Sequence, residues 1–453
     1  MNVHRAAVSV HVRIVRFALA VALLGSGCAY TLVRGGTVDA GEAEHITRKL
    51  ETLRELNFKT RVPVTVTTPE QARQMIAAEL ERNFSDEQLQ VDGIAGALAG
   101  LYPAGINLKA EYLRLMQSQL AGFYDTQGKQ MVLVEGAIPQ GVFGSIASFL
   151  ARRDFVGEML LAHELTHGLQ DQHFDLDKEF DADKGDSDRT LALKAVAEGD
   201  AMLAGFGVLL GRMDASTGET LASRMNALPA EFAKQSPDTP EALSDPLIFQ
   251  YSEGTRFVAE AYRRGGWKGV DALYANPPQS TQQILTPSLY FDRPAPPAIV
   301  TVAGYEEILP GWTKADEDTY GELLIRVIIK RHYGEGAPEL LSARRWAGDR
   351  IIVLRKGDSV GVLWLLAFRD EDAAARFAAV YASILDRLHG GRTPHDIEYR
   401  GNLVLIAAGG PALSFGDLAP SVLRQSKVER SAPPAARAKA GSALGATAPA
   451  SPR

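Results

Sequence analysis

Two histidines and a glutamate between positions 160 and 171 have the types and spacing best suited to chemistry. His163, Glu164 and His167 form the pattern His-Glu-x-x-His inside an apolar stretch with helical spacing. On an α-helix, side chains four residues apart lie on one face, so both imidazoles can reach one ion. Glu164 projects about 100° round the helix from His163, where it can contact a water on that ion without being a ligand. The pattern predicts a zinc site on a buried helix rather than a surface helix with two titratable histidines.

A zinc site needs a third protein ligand, and the sequence offers two candidates. Glu198 lies in the apolar stretch 190–210, which predicts a buried helix in which a carboxylate requires a partner. That partner is either the ion or Lys194, one turn earlier in the helix. His173, six residues after His167, is the rival ligand, although a continuing helix would carry it away from the ion. Glu198 is therefore the predicted third ligand.

The stretch 160–171, with His-Glu-Leu-Thr-His followed by Asp171, resembles the active-site helix of the thermolysin-type zinc peptidases, the gluzincins. The resemblance implies that His163 and His167 are ligands and that Glu164 is a general base. It also implies a glutamate ligand from a second helix further along the chain, the place that Glu198 takes here.

A second stretch, 276–290, is similar to a segment of a bacterial family of thermolysin-like peptidases that share the metal helix. Members of that family often carry His at the position of Thr286 and Glu at the position of Gln282. Because this chain departs from both, the resemblance does not supply a transition-state donor from this segment. Tyr251 and Tyr290 are the phenols that could take that role.

Two further stretches flank the predicted metal helix. Residues 120–135 predict a β-hairpin, because two apolar runs surround a Thr-Gln-Gly-Lys turn. The resemblance implies that an edge strand in this position would hold an extended substrate by adding it to the sheet. Residues 171–188 are rich in aspartate, but no register reproduces a calcium-binding loop, so we expect a solvated acidic loop.

The amino terminus has the features of an export signal. Arg5, Arg13 and Arg16 precede an apolar core at residues 17–24, and no acid occurs among the first 16 residues. The core is far shorter than the ~20 residues that a membrane-spanning helix needs. We therefore expect a signal peptide over residues 1–27.

Cys28, the single cysteine of the chain, stands where a bacterial lipoprotein signal places the residue that is lipidated. The resemblance to that signal implies a lipid-anchored protein of the bacterial cell envelope, facing the periplasm or the exterior. A plain cleaved signal is the alternative. A lone cysteine also excludes an internal disulfide, so the fold must rest on core packing.

The charge balance bears on possible partners. The chain of 453 residues has a formal net charge of −7, and removal of residues 1–27, with three arginines and no acid, changes it to −10. Nucleic-acid binding normally requires a basic face, so it is not expected here. The expected partners are a peptide or protein substrate and, through the anchor, the membrane.

The predicted fold class is α+β, with a mainly helical zincin-like catalytic domain, a small β-sheet and a small C-terminal α+β module. The predicted segments are a signal peptide (1–27), a tether (28–41), a zinc peptidase-like domain (42–292), a linker (293–310), the α+β module (311–410) and a largely disordered tail (411–453).

The predicted function is that of an exported zinc metallopeptidase with one Zn²⁺ ion. The ion would be held by His163, His167 and Glu198, and Glu164 would act as the general base on a zinc-activated water. Two other functions fit the same residues. One is an inactive zinc-binding envelope lipoprotein that serves as a scaffold or chaperone, and the other is a zinc amidase acting on cell-wall material.

Overall fold

The computed structural model describes residues 33–34, 37–118, 122–125, 128–135, 153–176 and 185–430. The predicted signal peptide (1–27), the predicted lipidation site Cys28 and residues 431–453 of the predicted tail lie outside the described residues. So does the middle of the predicted acidic loop, residues 177–184.

The described chain has a mainly helical α+β fold. Its first part, up to residue 291, is mostly helix. The elements of this part are β1 (Val33–Arg34), β2 (Thr37–Val38), α1 (Ala40–Arg54), β3 (Val64–Thr67), α2 (Pro69–Asn83), α3 (Asp86–Leu98), α4 (Leu108–Ser118), β4 (Gly122–Asp125), β5 (Gln130–Val134), α5 (Arg153–Phe174), α6 (Ser187–Leu210), α7 (Ala215–Met225), α8 (Leu228–Gln235), α9 (Glu241–Ala275, kinked at Gly266), α10 (Thr281–Leu285) and α11 (Ser288–Phe291).

The second part combines one larger sheet with helices on its sides. Its elements are β6 (Ile299–Thr301), β7 (Thr313–Asp318), α12 (Gly321–Tyr333), a 3₁₀ segment (Pro338–Arg345), β8 (Trp346–Lys356), β9 (Ser359–Phe368), α13 (Glu371–His389), β10 (His395–Arg400), β11 (Leu403–Gly409), a second 3₁₀ segment (Gly410–Ser414), α14 (Phe415–Gln425) and β12 (Lys427–Glu429). Strands β7 to β11 form an antiparallel sheet in the order β10-β11-β9-β8-β7.

The small sheet of the first part has the order β3-β5-β4. Strand β3 runs parallel to β5, whereas β4 and β5 pair antiparallel with Gly122 opposite Leu133. The predicted hairpin over residues 120–135 is therefore confirmed for its two strands. Within the described chain β4 is an edge strand of this sheet.

Two predicted segments contain regular structure that the prediction did not include. The predicted linker 293–310 contains β6, which pairs with β12, and the predicted tail from residue 411 contains most of the second 3₁₀ segment, α14 and β12. Both stretches bury apolar side chains in the core of the second part, which stabilises them as regular structure. These side chains are Val300, Val302, Tyr305, Leu309, Phe415, Leu418, Ala419 and Val422. Within the predicted tether, β1 pairs with β2 and α1 begins at Ala40.

Helix α6 lies at the centre of the first part, between α5 and α9, and is buried over nearly its whole length. Glycines allow the three backbones to approach closely. A Cβ atom at Gly205 would lie 2.6 Å from the carbonyl oxygen of Met159 in α5, and one at Gly199 would lie 2.3 Å from that of Gly254 in α9. The predicted metal helix and second helix are thus packed face to face. No helix in the described ranges has the length and apolarity to cross a membrane.

The beginning of α6 is held by the second part of the chain and by α10. The Ser187 backbone N–H donates to Asp318 Oδ1 at 2.8 Å, and the Thr281 backbone N–H donates to Asp188 Oδ1 at 3.0 Å. Asp188 is 1% exposed and packs directly against the backbone of Gly321. The predicted solvated loop is therefore wrong at this end, because α6 starts at Ser187 and buries its first turn.

Candidate metal centre

Helix α5 presents two buried imidazoles one turn apart. The rings of His163 and His167 are 4.9 Å apart between centroids and lie nearly perpendicular, at 86°. Their exposed fractions are 0% and 2%. The predicted buried helix over these residues is confirmed, and its apolar neighbours Leu160, Leu161 and Leu165 form part of the main core.

Helix α6 brings the carboxylate of Glu198 to the same point. Glu198 Oε2 lies 3.2 Å from His163 Nε2 and 3.6 Å from His167 Nε2. Ligand atoms of the three residues all lie within 4.8 Å of one another, and in the described part of the chain no other such group of histidine, cysteine or acidic residues occurs. This buried group can hold a metal ion.

The donor atoms fit a divalent ion. Glu198 is completely buried, and its carboxylate faces the Nε2 atoms of both imidazoles, at 3.2 Å from His163 and 3.6 Å from His167. A buried carboxylate is costly unless positive charge compensates it, and coordination of a cation would remove that cost. Two imidazoles and one carboxylate form a ligand set that zinc commonly takes, with a further position left open.

The charges of the group are strongly coupled. Burial would raise the pKa of Glu198, but the neighbouring His167 and His163 outweigh it and lower this pKa to about 2. Burial would lower the pKa of His167, but Glu198 outweighs it and raises this pKa to about 9. Burial lowers the pKa of His163. An ion pair between Glu198 and His167 would account for both shifts, and an incoming cation would take the place of the proton on His167.

Glu164 lies beside the three ligands and is not one of them. It is 1% exposed, and burial raises its pKa well above the usual value, partly offset by the charge of His167 and the backbone N–H of Tyr124 in β4. No side chain in the described ranges donates a hydrogen bond to its carboxylate. A carboxylate beside a metal-binding group is placed to accept a proton from a water on the ion and to return it.

Of the two candidate phenols, the structure places only Tyr251 at this centre. Its ring stacks on that of His163 at 6.2 Å between centroids, and the residue is 1% exposed. Burial, together with the carboxylates of Glu198 and Glu164, raises the pKa of Tyr251 well above its usual value. Tyr290 lies elsewhere and donates its hydroxyl to the carbonyl oxygen of Asn276 at 2.6 Å.

The rival ligand does not join the group. Helix α5 continues to Phe174, and His173 Nε2 instead contacts the carbonyl oxygen of Asn57 at 2.8 Å. Lys194, the alternative partner of Glu198, is completely buried in the same helix, one turn before it.

Gln282 and Thr286, the two positions of the segment 276–290 that differ from the resembled family, make hydrogen bonds elsewhere. Gln282 is held by the second part of the chain, where it donates to Glu322 Oε2 at 2.8 Å and to the Trp346 carbonyl oxygen at 3.0 Å. The backbone N–H of Thr286 ends helix α10 by donating to the Gln282 carbonyl oxygen.

One residue near the ligands was missed by the sequence analysis. Gln170 Oε1 lies 2.9 Å from His167 Nδ1, on the side of the ring opposite to Glu198. The signal available was its position three residues after His167 on the same helix, which places the two side chains on one face. That spacing is too common to single out Gln170 without the structure.

Comparison with known proteins bears on the second part of the chain only. Residues 307–412 match the model of a family described as a domain of unknown function (DUF8575). The matched range overlaps the predicted module 311–410. No curated protein and no solved structure is significantly similar to the chain.

Proposed function

We propose that the chain is a zinc-dependent metallopeptidase that hydrolyses peptide bonds. The proposal is carried by the buried convergence of His163, His167 and Glu198, with Glu164 next to them on α5 but outside the ligand group. A site that served only to stabilise the fold would need no second buried carboxylate at this position.

Each residue has a role that follows from its chemistry. His163, His167 and Glu198 hold the ion, which when bound supplies a Lewis acid and lowers the pKa of a water. Glu164 accepts a proton from the attacking water and returns it to the leaving amine. Burial raises the pKa of this carboxyl and so makes its ionised form a stronger base.

Two groups next to the centre would contact the substrate, namely strand β4 and the hydroxyl of Tyr251. Strand β4 is an edge strand within the described chain, and its Tyr124 N–H lies at Glu164. A peptide added to this edge would pass beside the general base. The hydroxyl of Tyr251 would stabilise the charge that develops on the carbonyl oxygen.

The substitution Glu164→Gln tests the proposal, because it keeps size and polarity but removes proton transfer. We expect a normal metal content and at least about a hundredfold loss of kcat/KM on peptide substrates, since general acid–base catalysis is worth about 10²–10⁴-fold. Glu158→Gln is the matched control on the same helix, because Glu158 pairs with Lys49 at 2.6 Å and not with the centre.

A second candidate function is favoured by the near-complete burial of Glu164. A metal-stabilised envelope protein without turnover would serve as a scaffold or chaperone. In that case the wild type and the Glu164→Gln variant would have the same metal content, and the wild type would not cleave a broad peptide library with zinc. The Glu164→Gln variant would also complement a deletion strain fully. Zinc-dependent release of amines from cell-wall amides, without peptide cleavage, would instead identify the amidase.

We also propose that the chain is exported and anchored through a lipid on Cys28. Cys28→Ser is expected to release the protein from the membrane fraction or to leave the precursor uncleaved. Unchanged processing and membrane association in fractionated cells would contradict the anchor and leave the peptidase proposal untouched.

A further inference from the structure

Gln170 connects a metal ligand to a buried ion pair. Its Oε1 lies 2.9 Å from His167 Nδ1, and its Nε2 donates to the carbonyl oxygen of Ala197 at 2.9 Å and to Asp200 Oδ2 at 3.1 Å. Gln170 is 1% exposed and Asp200 is completely buried. The contact between α5 and α6 thus includes an amide with a hydrogen-bond partner on each side.

The two acceptors fix the orientation of this amide. A carbonyl and a carboxylate can only accept hydrogen bonds, so the group that faces Ala197 and Asp200 must be the NH₂ of Gln170. The oxygen of Gln170 therefore faces His167. Since that oxygen can only accept, Nδ1 of His167 must carry a proton. In the neutral ring, the lone pair is then on Nε2, the nitrogen nearest to Glu198.

Asp200 is itself held in place from two other helices. Arg54 at the end of α1 donates through Nε to Asp200 Oδ1 at 2.8 Å, and the Tyr274 hydroxyl of α9 donates to Oδ2 at 2.8 Å. Arg54 is completely buried, and it also donates to Asp271 at 2.7 Å. A carboxylate anchored by these groups cannot turn away from Gln170 without leaving a buried charge unpaired.

We propose that Gln170 is a positioning residue that holds His167 in the Nδ1–H tautomer, and that Asp200 and Arg54 fix it in this role. The tautomer directs the Nε2 lone pair to the ion. This inference rests on the proposed metal centre, but it concerns a proton position that the metal-free protein also has. Partners of this kind orient metal-ligating histidines in general, and their loss costs about 10–100-fold in metal affinity.

The substitution Gln170→Met tests the inference, because methionine has a similar length and leaves the pair Arg54–Asp200 intact. Two readouts are needed on the full chain. Zinc affinity is measured by competition with a chelator, and we expect it to fall about 10–100-fold. The tautomer is measured by ¹⁵N NMR of the metal-free protein in a pH series, on the spectra in which the His167 ring is neutral. We expect Nδ1–H in the wild type and a shift towards Nε2–H in the variant.

Gln172→Met is the matched control two residues along α5. Gln172 contacts the loop at Lys59 and Thr60, so neither readout should change. Unchanged zinc affinity and an unchanged tautomer in Gln170→Met would overturn the inference. An Nε2–H tautomer of His167 in the wild type would also overturn it, and this result does not depend on whether the variant folds. A wild type that binds no zinc would instead overturn the metal centre, and the tautomer would still decide the role of Gln170.

Discussion

Gly199 in α6 lies against the backbone of Gly254 in α9, so closely that a Cβ atom at 199 would be 2.3 Å from the Gly254 carbonyl oxygen. A Cβ atom at Gly254 would in turn be 2.2 Å from the carbonyl oxygen of Ala195. Glu198 precedes the first glycine, and Tyr251 lies one turn before the second. The contact therefore determines the distance between a metal ligand and the phenol at the centre.

Gly254→Ala should separate the two helices. The methyl group has no space against the Ala195 carbonyl, and overpacking of this kind costs about 1–3 kcal/mol or more in the free energy of unfolding. We expect a lower stability in urea and a weaker affinity for zinc. Gly218→Ala in α7 is the control, because its Cβ would meet Ala259 at an ordinary 3.6 Å. A neutral Gly254→Ala would contradict the close contact.

The third ligand is tested by a pair of substitutions. Glu198→Ala removes the carboxylate that joins α6 to the two imidazoles, so we expect at least about a hundredfold loss of zinc affinity, more than an outer-shell partner is worth. His173→Ala should keep its zinc, because the His173 ring nitrogen contacts the Asn57 carbonyl and not the metal-binding group. Metal content after dialysis against a mild chelator distinguishes the two. If His173→Ala lost its zinc and Glu198→Ala kept it, His173 and not Glu198 would be the third ligand.

Tyr251→Phe tests the proposed transition-state donor. The ring and its stacking on His163 remain, and only the hydroxyl is lost. Removal of one such donor costs about 10²–10³ in kcat, so we expect that loss with little change in KM. Tyr290→Phe is the control, since its hydroxyl binds the Asn276 carbonyl. Equal kinetics of Tyr251→Phe and the wild type would exclude Tyr251 as the donor.

Asp188 should make the protein less stable at higher pH. Burial raises the pKa of Asp188 well above the unfolded value, so the folded state binds the extra proton. The resulting stability is fully present below about pH 4 and is lost as pH rises through the folded pKa, by at most about 1.4 kcal/mol per pH unit. Asp188→Asn should flatten this dependence in urea unfolding series. An unchanged slope would show that Asp188 is ionised in the folded state.

The sequence was most informative where chemistry depends on short spacing. His163, Glu164 and His167 lie on one helix, so their relative positions follow from helical geometry. Glu198 could be predicted because a carboxylate in an apolar helix requires a partner. The hairpin of β4 and β5 could also be predicted, because its two strands are close in the sequence.

The sequence could not predict the contacts that support the ligands. Arg54 and Asp200 are 146 residues apart, and helical spacing says only that Asp200 points about 200° away from Glu198. Whether Tyr251 or Tyr290 reaches the centre depends on the packing of α9 against α6, which no local pattern encodes. Helix α14, by contrast, has a local signal in the sequence, because Phe415, Leu418 and Val422 have the spacing of an amphipathic helix.

The anchoring of α6 by Asp318 has a consequence for the order of events during synthesis. Ser187 is made 131 residues before the carboxylate that accepts its backbone N–H. While the chain is being made, the first turn of α6 therefore lacks this acceptor until β7 (Thr313–Asp318) has emerged. The helix that carries Glu198 thus receives its N-terminal acceptor only after α5 and α9, the helices on either side of it, have been made.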